Sequence, residues 1–194
     1  MKTDERTLRI ISAAIELAEK DGFEAVRLRD LAAKADVALG TVYKRFASKE
    51  DILAAALAMQ VEQLQLHIND NPIEGPDGET RLKTFFAIAT TALAQQPRLA
   101  GAMLRTVASG DPELSEKVSR YHGQMTEIIV QVFRGNSGDD FPSDEEQILA
   151  HLLQNVWFAA LVGWTGGLHA PEVVVDHVHN AVHLLIKGLE ASAT

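Results

Sequence analysis

Apolar residues recur at helical spacing along most of this chain, and no run of strict alternation is long enough for a sheet. Glycine and proline separate the apolar segments, and both interrupt helices. We therefore predict an all-α fold of about nine helices without a sheet. The predicted helices cover residues 8–21, 28–35, 41–46, 49–67, 79–95, 97–108, 112–134, 143–165 and 172–190.

Residues that can cap helix N-termini stand before three of these segments. Ser48 with Asp51, and Ser143 with Glu146, have the spacing of a capping box, in which each side chain bonds the other residue's backbone N–H. Asp111 precedes a proline, as suits an N-cap followed by the first helical position. Side-chain chemistry thus predicts three helix starts independently of periodicity.

The composition indicates a globular protein and excludes several kinds of site. Of the 194 residues, 46% are hydrophobic and 23% are charged, which allows one domain or two small ones with a real core. No cysteine is present, so disulfides, thiol nucleophiles and cysteine-ligated metals are excluded. The segment MKTDERTLRI lacks the apolar run of a secretory signal, so we expect a cytoplasmic protein.

One stretch is long enough to be tested as a membrane span. Residues 147–171 contain no Lys, Arg, Asp or Glu, and about 20 apolar residues suffice to cross a bilayer. However, the stretch includes glutamine, asparagine and histidine, and no Lys or Arg cluster flanks it. We interpret it as a helix buried in protein and expect no membrane partner.

Charge is distributed unevenly along the chain. The net charge is -9, which by itself disfavours a nucleic-acid partner, because a phosphate backbone attracts basic surfaces. Residues 1–50, however, hold 10 Lys and Arg against 9 Asp and Glu, whereas residues 51–194 hold 8 against 18. The first fifty residues can therefore meet DNA, and the overall charge neither supports nor excludes that interpretation.

Three predicted helices follow one another within the first fifty residues, and the third is very short. This is the layout of a helix-turn-helix, whose second helix enters the major groove of DNA. A tight turn is predicted at 34–36, and small or apolar residues at Leu31, Ala32, Ala35 and Val37 allow two short helices to cross closely. In the third helix, Val42 and Phe46 are expected to face the core.

Several side chains of this region suit a contact with DNA. The set contains hydrogen-bond donors on the short helix, a glycine that allows a phosphate to approach closely and a leucine that suits a thymine methyl. Basic residues precede and follow them. Taken singly, each is more typical of a solvated surface, and it is their combined order over some forty residues that favours DNA binding. The candidates are Arg27, Arg29, Leu39, Gly40, Thr41, Tyr43, Lys44, Arg45 and Lys49.

Residues 22–57 resemble the DNA-binding head of the TetR family of bacterial transcriptional repressors, and the similarity covers about residues 5–60. The segment VALGTVYKRFASKE, residues 37–50, is also similar to the KstR-type branch, which controls steroid and lipid catabolism in actinobacteria. Val26-Arg27 departs from the family, which often has Ser or Thr capping the second helix; this removes a cap worth about 1 kcal/mol and offers DNA a cation. The matching residues are Gly22-Phe23, Arg29-Asp30-Leu31-Ala32, Gly40-Thr41-Val42-Tyr43, Phe46 and Ser48-Lys49-Glu50 before Leu53.

The resemblance implies a division of labour along the chain. Residues 1–48 would form the helix-turn-helix domain, and residues 49–194 an effector-binding and dimerisation domain, with 49–67 as the linking helix. A small molecule would enter between the middle helices and release the DNA. A homodimer would read a palindromic operator of double-stranded DNA, with half-sites about one helical turn apart or a multiple of that.

Large apolar side chains on the middle helices are the candidates for an effector pocket. Few ionisable groups stand among them, so we expect an apolar or amphipathic effector: a CoA thioester, a fatty or steroid acid with one anionic end, or a hydrophobic drug. The alternative is an ordinary core. The candidates are Phe85, Phe86, Ala89, Met103, Leu104, Val107, Met125, Ile129, Phe133 and Trp157.

The last two long helices are apolar on more than one side, as helices that face both a core and a partner are. The resemblance implies that they pair with their copies in a four-helix dimer interface. The alternative is a pair of buried helices in a monomer. The interface candidates are Leu153, Trp157, Leu161, Trp164, Val178, Val182 and Leu185.

Two other classes of function are weighed against this one. Asp176, His179 and His183 share a helical face and could bind zinc, but polar residues beside a dimer seam explain them more simply, so we predict no metal and no cofactor. No catalytic motif is present, and we predict no enzyme and no catalytic residue. A helical adaptor that does not bind DNA is the second alternative; it would not need the donors at 41, 43 and 44.

Overall fold

The computed structural model of the chain describes residues 4–135 and 141–192. Within these ranges the fold is all-α, as predicted, with nine α-helices, two short 3-10 helices and no strand. The 3-10 helices are Phe23–Ala25 and Pro112–Leu114. The α-helices are α1 Glu5–Asp21, α2 Leu28–Lys34, α3 Leu39–Arg45, α4 Lys49–Asp70, α5 Gly78–Gln95, α6 Pro97–Val107, α7 Ser115–Arg134, α8 Asp144–Thr165 and α9 Pro171–Ser192.

The predicted helix starts are confirmed, with one change of partner. Ser143 and Glu146 form the complete capping box of α8, and Asp111 accepts a hydrogen bond from the Glu113 N–H. At α4 the Asp51 N–H donates to the Ser48 hydroxyl over 3.1 Å. The Asp51 carboxylate, however, accepts from the N–H of residue 47, one position before the expected one. The segment 135–142, which lies between two predicted helices and which its Gly, Asn, Asp and Pro residues predict as a loop, lies largely outside the described residues.

The chain divides into two compact units. Unit 1 comprises the described residues up to Val61 together with Gln96–Tyr121, and unit 2 comprises Glu62–Gln95 and the described residues from His122 onward. The units do not coincide with the predicted boundary between residues 48 and 49, because α6 and the start of α7 group with the head. Compactness and function are different criteria, so the functional boundary stays a prediction.

Unit 1 is organised around a core shared by α1 to α4 and α6. Helix α6 packs against α1 and the first 3-10 helix, so the head is a larger body than its three sequence-local helices. Burying apolar side chains stabilises this body by about 25 cal/mol per Å². The buried residues include Ile10, Ala14, Val26, Leu31, Val42, Ile52, Leu53, Leu99 and Met103.

Unit 2 buries the faces of α5, α7, α8 and α9. Helix α9 packs against both α8 and α5. Phe86 of α5 meets Trp157 of α8 edge to face, with ring centroids 5.5 Å apart, and the Trp157 indole N–H donates to the Thr90 hydroxyl over 2.9 Å. Because its indole N–H is hydrogen-bonded, Trp157 is buried without an unmade bond, and its ring stabilises this core.

An ion pair joins the end of α7 to the start of α8. The Arg134 guanidinium donates from Nε and Nη2 to the two carboxylate oxygens of Glu146, over 2.7 and 2.6 Å. The Arg134 partner and the Ser143 N–H together lower the pKa of Glu146 to about 2. The two-point geometry fixes the orientation of the helix ends as well as their distance.

Helix α8 has the length and composition of a membrane span, and among the described helices it alone does. Its buried residues, however, include a glutamine and face α9 and the Thr90 side of α5 within unit 2. A core helix that is apolar on several sides passes the same test of length and hydropathy.

Candidate nucleic-acid interface

A tight turn joins α2 to α3, at the predicted position. Ala35 closes α2, and its N–H donates to the Leu31 carbonyl over 2.8 Å. Asp36 then takes φ of +50°, and the Val37 N–H returns to the Ala32 carbonyl over 3.0 Å. Left-handed backbone is uncommon outside glycine, although aspartate tolerates it better than most residues. The turn sets the angle at which α3 leaves α2.

Buried apolar residues anchor α3 on one side only. Val42 is fully buried and Phe46, directly after the helix, is nearly so, as predicted from the sequence. Leu39 is half-buried against the same core. Because the anchors occupy one face, the opposite face is presented to solvent, and the side chain of Tyr43 is 57% exposed there.

Five of the nine predicted DNA-contacting residues are exposed. An added Cβ at Gly40 would meet nothing within 4 Å, so a ligand backbone could approach this point closely. Thr41 and Leu39 are half-buried. The exposed residues are Arg27, Arg29, Gly40, Tyr43 and Lys44.

Arg45 is directed back onto the protein. Its Nε donates to the Thr7 hydroxyl over 3.1 Å, and its Nη2 pairs with the carboxylate of Asp4, the N-cap of α1. These bonds, with the Arg6 N–H, hold the pKa of Asp4 below its usual value. Arg45 therefore joins α3 to the first turn of α1, and a phosphate would have to compete with Asp4 for it.

Lys49 is also engaged within unit 1. Its Nζ lies 3.9 Å from the centre of the Phe23 ring and 3.4 Å from the Glu24 carboxylate. Arg105 of α6 stands over the same ring at 4.8 Å and pairs with Glu24 at 3.3 Å. The sequence did not indicate these partners, because they lie 25 and 81 residues from Glu24 and no local spacing connects them.

The predicted effector-pocket residues fall into both units. In unit 1, Met103 packs in the core of the head, Leu104 is buried, and Val107 is half-buried. In unit 2, Ala89 and Phe133 are half-buried. The other five are buried in unit 2: Phe85, Phe86, Met125, Ile129 and Trp157. Burial suits a pocket wall and a plain core equally, so the assignment stays a prediction.

The predicted dimer residues mostly face the inside of their own protomer. Trp164 and Leu185 are half-buried, and the other five are buried: Leu153, Trp157, Leu161, Val178 and Val182. A partner could reach those five only after a rearrangement. The large apolar residues exposed on the same two helices are instead Ile148, Leu152, Val162 and Leu184.

Two of the three histidines of α9 bond to α5. A ring nitrogen of His179 lies 2.9 Å from the Lys83 carbonyl, and Nδ1 of His183 lies 3.0 Å from the Glu79 carboxylate. Within the described ranges, no group of three or more His, Asp or Glu side chains could hold a metal ion. Hydrogen bonding between the helices accounts for the spacing that resembled a zinc site.

Two family models match most of the chain. Residues 10–56 match the model described as bacterial regulatory proteins, tetR family, and residues 75–185 match the tetracyclin repressor-like C-terminal domain. The first covers the helix-turn-helix built above, and the second covers most of unit 2 together with α6.

Curated proteins with similar sequences are transcriptional regulators. The transcriptional repressor KstR of Rhodococcus jostii is 30% identical over 182 residues, which cover 94% of this chain and 83% of that protein. KstR of Mycobacterium tuberculosis is 29% identical over the same length, covering 94% and 81%. The regulator UidR of Escherichia coli is 22% identical over 79% of this chain and 78% of its own.

Solved structures show the same fold. A TetR transcriptional regulator from Rhodococcus sp. RHA1 superposes with a TM-score of 0.82 at 22% identity, covering 93% of this chain and 94% of that one. FadR of Bacillus subtilis, in complex with stearoyl-CoA, superposes with a TM-score of 0.63 at 21% identity, covering 93% and 98%.

Proposed function

The chain belongs to the TetR family and is a DNA-binding transcriptional regulator, and on that premise we propose that it is a repressor released from a palindromic operator by a small, largely apolar effector. One observation carries the DNA-binding half of the proposal. The buried anchors Val42 and Phe46 leave Tyr43 and Lys44 exposed on the outer face of α3. A rigid helix with hydrogen-bond donors on its free face suits the major groove.

We propose the role of each basic residue from whether it is exposed or already bonded within the protein. Arg27, Arg29 and Lys44 are exposed, and we assign them to phosphates or base edges. Arg45 and Lys49 are assigned a supporting role: Arg45 fixes α3 against α1, and Lys49 fixes the start of α4 against Phe23 and Glu24. DNA phosphates could recruit both cations, but only by displacing acidic partners.

Fluorescence anisotropy of operator DNA tests the proposal. The probe is DNA from the protein's own upstream intergenic region, with scrambled DNA as competitor, titrated over a range of salt. We expect two protomers per site and an affinity that falls steeply with salt, because Lys and Arg displace counterions from phosphates. If neither this DNA nor a random-sequence selection yields a specific site, the helical adaptor becomes the better interpretation.

Two paired variants locate the contact on α3. The double variant Tyr43→Ala/Lys44→Ala should lose about tenfold or more in operator affinity, with fold and oligomeric state unchanged. Lys20→Ala is the matched control, because it removes an exposed cation of the same unit at the far end of α1. Equal losses in both variants would show a general charge effect and would contradict a specific role for α3.

The effector is proposed to bind in unit 2, against the apolar wall of Phe86 and Trp157. The wall is buried, which suits a pocket and a plain core equally, so the support comes from a comparison. FadR, which shares the fold, is solved with stearoyl-CoA. A fatty or steroid acid or its CoA thioester is thus the proposed class, and loss of the operator anisotropy signal on addition of such a compound is the assay.

A homodimer is proposed to form through the exposed side of α8 and α9 rather than through the residues predicted first. Ile148, Leu152 and Val162 stand at spacings of four and ten residues along α8, which places them in one stripe, and Leu184 is exposed on α9. A stripe of this kind repeated on two helices suits a four-helix seam. The proposed location is the cytoplasm, where operator DNA is accessible.

A further inference from the structure

Helix α8 buries a glutamine whose side-chain nitrogen has no partner. Gln154 is 2% exposed, and within residues 4–135 and 141–192 no atom accepts a hydrogen bond from its Nε2. The amide nitrogen carries two N–H donors. Leaving such a group unbonded in the interior is unfavourable, so each case requires an explanation.

The other buried polar side chains of the described chain are satisfied. Thr90 accepts from Trp157, Thr106 donates to the Ala102 carbonyl, and Thr126 donates to the His122 carbonyl. The other unpartnered side-chain atom, Gln124 Oε1, belongs to a residue that is only half-buried. Gln154 therefore differs from the three buried threonines, since its amide nitrogen has no acceptor whereas their hydroxyls are hydrogen-bonded.

The position of Gln154 connects it with the proposed effector wall. It lies three residues before Trp157 on α8, so the two side chains share one face of the helix. Trp157 packs edge to face on Phe86, and its indole N–H is already committed to Thr90. Gln154 is thus the free donor on an otherwise apolar face.

We propose that the Gln154 amide recognises a hydrogen-bond acceptor of the effector, and that this acceptor is a neutral carbonyl oxygen. The proposal rests on the proposed function, because it assigns a polar contact to the effector site of unit 2. The bound carbonyl satisfies the donor that the protein alone leaves open. Effector binding then also forms the hydrogen bond that Gln154 lacks in the free protein. A single oxygen atom of the effector is therefore a strong determinant of specificity.

The absence of buried cations selects a carbonyl over a carboxylate. Among the described buried residues the polar ones are three threonines and Gln154, with no Lys, Arg or His. A carboxylate taken into this interior would lack a counter-charge, and burying an unpaired charge is far costlier than burying an amide. An anionic end of the effector, if it has one, is therefore placed outside this interior, and the contact at Gln154 is made to an uncharged oxygen.

A matched pair of probes tests the contact without knowledge of the natural effector. The ketone 2-decanone and the alkene 2-methyl-1-decene differ only in the replacement of the carbonyl oxygen by a methylene group. Binding to the full-length protein is followed by the ¹H–¹⁵N signals of the Gln154 side-chain amide and the Trp157 indole. We expect the ketone to bind about tenfold more tightly than the alkene, the ratio that one recovered hydrogen bond provides.

The variant Gln154→Leu should remove the preference. It keeps the size and removes the donor, so the ketone should lose its advantage and bind no more tightly than the alkene, because its oxygen is then desolvated without a partner. The free energy of unfolding should stay equal to or above that of the unsubstituted protein. Gln147→Leu is the matched control, because Gln147 is an exposed glutamine of the same helix whose Nε2 already donates to the Pro142 carbonyl. It should keep the tenfold preference.

The outcomes separate this proposal from the proposed function. Equal binding of ketone and alkene, binding of neither up to millimolar concentration, or a Gln154→Leu variant that is destabilised yet keeps the preference would each overturn the role of Gln154. None of these results depends on DNA. Operator binding measured on the same samples reports on the regulator function independently, and its loss in the unsubstituted protein would overturn that function instead.

Discussion

Helices α3 and α8 differ in how much of each is buried, and the difference determines what each can do. Helix α3 has seven residues and buries Val42 alone, so most of its side chains are available to a partner of the protein. Helix α8 has 22 residues, buries one side and still exposes Ile148 and Leu152 on another. A short helix with one buried anchor leaves most of its side chains available to a partner. A long helix that is apolar on several sides needs a packing surface on more than one of them.

The comparison predicts that the two helices respond to different kinds of substitution. Helix α3 should be sensitive to changes that remove a donor or a cation and tolerant of changes that keep its anchor. Helix α8 and the helices around it should be sensitive to lost volume and to charge. The predictions below test that difference, beginning with the largest expected effect.

Removing a large side chain from the core of unit 2 should have the largest effect. Phe86 is fully buried between Phe85 and Trp157, with ring centroids at 5.1 and 5.5 Å. Phe86→Ala should lower the free energy of unfolding by about 3–5 kcal/mol, because transfer and cavity terms add. Ile88→Ala on the exposed side of α5 is the control and should change it by about 0.5 kcal/mol or less. Urea denaturation measures both, and equal effects would contradict a packed wall at Phe86.

A charge on the exposed stripe of α8 should weaken the proposed homodimer. In a two-fold interface each substitution occurs twice, so Leu152→Glu places two carboxylates at one seam without counter-charges. We expect the dissociation constant to rise on the order of 100-fold, as measured by sedimentation equilibrium. Leu168→Glu, an equally apolar and more exposed position in the turn after α8, should leave it unchanged. A dimer that survives Leu152→Glu would place the interface elsewhere.

The ion pair between Arg134 and Glu146 should make stability depend on acid pH. The pKa of Glu146 is about 2 in the folded protein, against 4.5 for an unperturbed glutamate, so the folded state favours the charged form. Its contribution is complete above about pH 4.5 and is lost as the pH falls towards 2. After allowance for solvent screening we expect about 1–2 kcal/mol.

Glu146→Gln isolates that contribution. The variant should be less stable than the unsubstituted protein at pH 6, and the difference should shrink as the pH falls from 4.5 towards 2. Glu145→Gln is the control, since it makes the same substitution at the exposed neighbouring residue in the first turn of α8. Urea midpoints at several pH values measure both, and a pH-independent loss in Glu146→Gln would show that geometry, not charge, holds the helix ends.

Sequence reasoning succeeded where the determinants are local. The capping box at Ser143, the turn at 34–36 and the burial of Val42 and Phe46 all follow from spacing within a few residues, and the structure confirms them. Partners distant in sequence could not be foreseen. Nothing within a few residues of Arg45 indicates that Asp4 and Thr7 bond to it, and these bonds are the basis of the supporting role proposed for Arg45.

Helix α8 shows the other limit of periodicity. Its apolar residues occupy several sides, so the 3.6-residue pattern predicts a helix without stating which side faces the core. The predicted interface therefore included Leu153 and Trp157, which the structure buries, and omitted Leu152, which it exposes. Gln154 was passed over for a related reason: a glutamine in an apolar run is unremarkable until its burial and its missing partner are known.

The smallest predicted effect concerns the start of α2, where one residue is expected to serve two purposes with opposite signs. Arg27 occupies the N-cap position and makes no side-chain cap, while its guanidinium is exposed. Arg27→Thr should restore a hydroxyl cap and raise the free energy of unfolding by about 0.5–1 kcal/mol. The same substitution should weaken operator binding and reduce the salt dependence by about one unit of slope, because a phosphate contact is lost.

Asp30→Ala serves as the control for Arg27→Thr. It changes an exposed residue of the same turn of α2 without supplying a cap, and it removes a negative charge, so operator affinity should rise slightly instead of falling. If Arg27→Thr gains stability and keeps full operator affinity, Arg27 is an ordinary surface residue that does not contact DNA. If it loses affinity and gains no stability, the residue was retained for DNA without any penalty to α2. Only a gain in stability together with a loss of operator affinity would show that the cap of α2 was given up for a DNA contact. A loss of affinity without a gain in stability would show that this helix never required the cap.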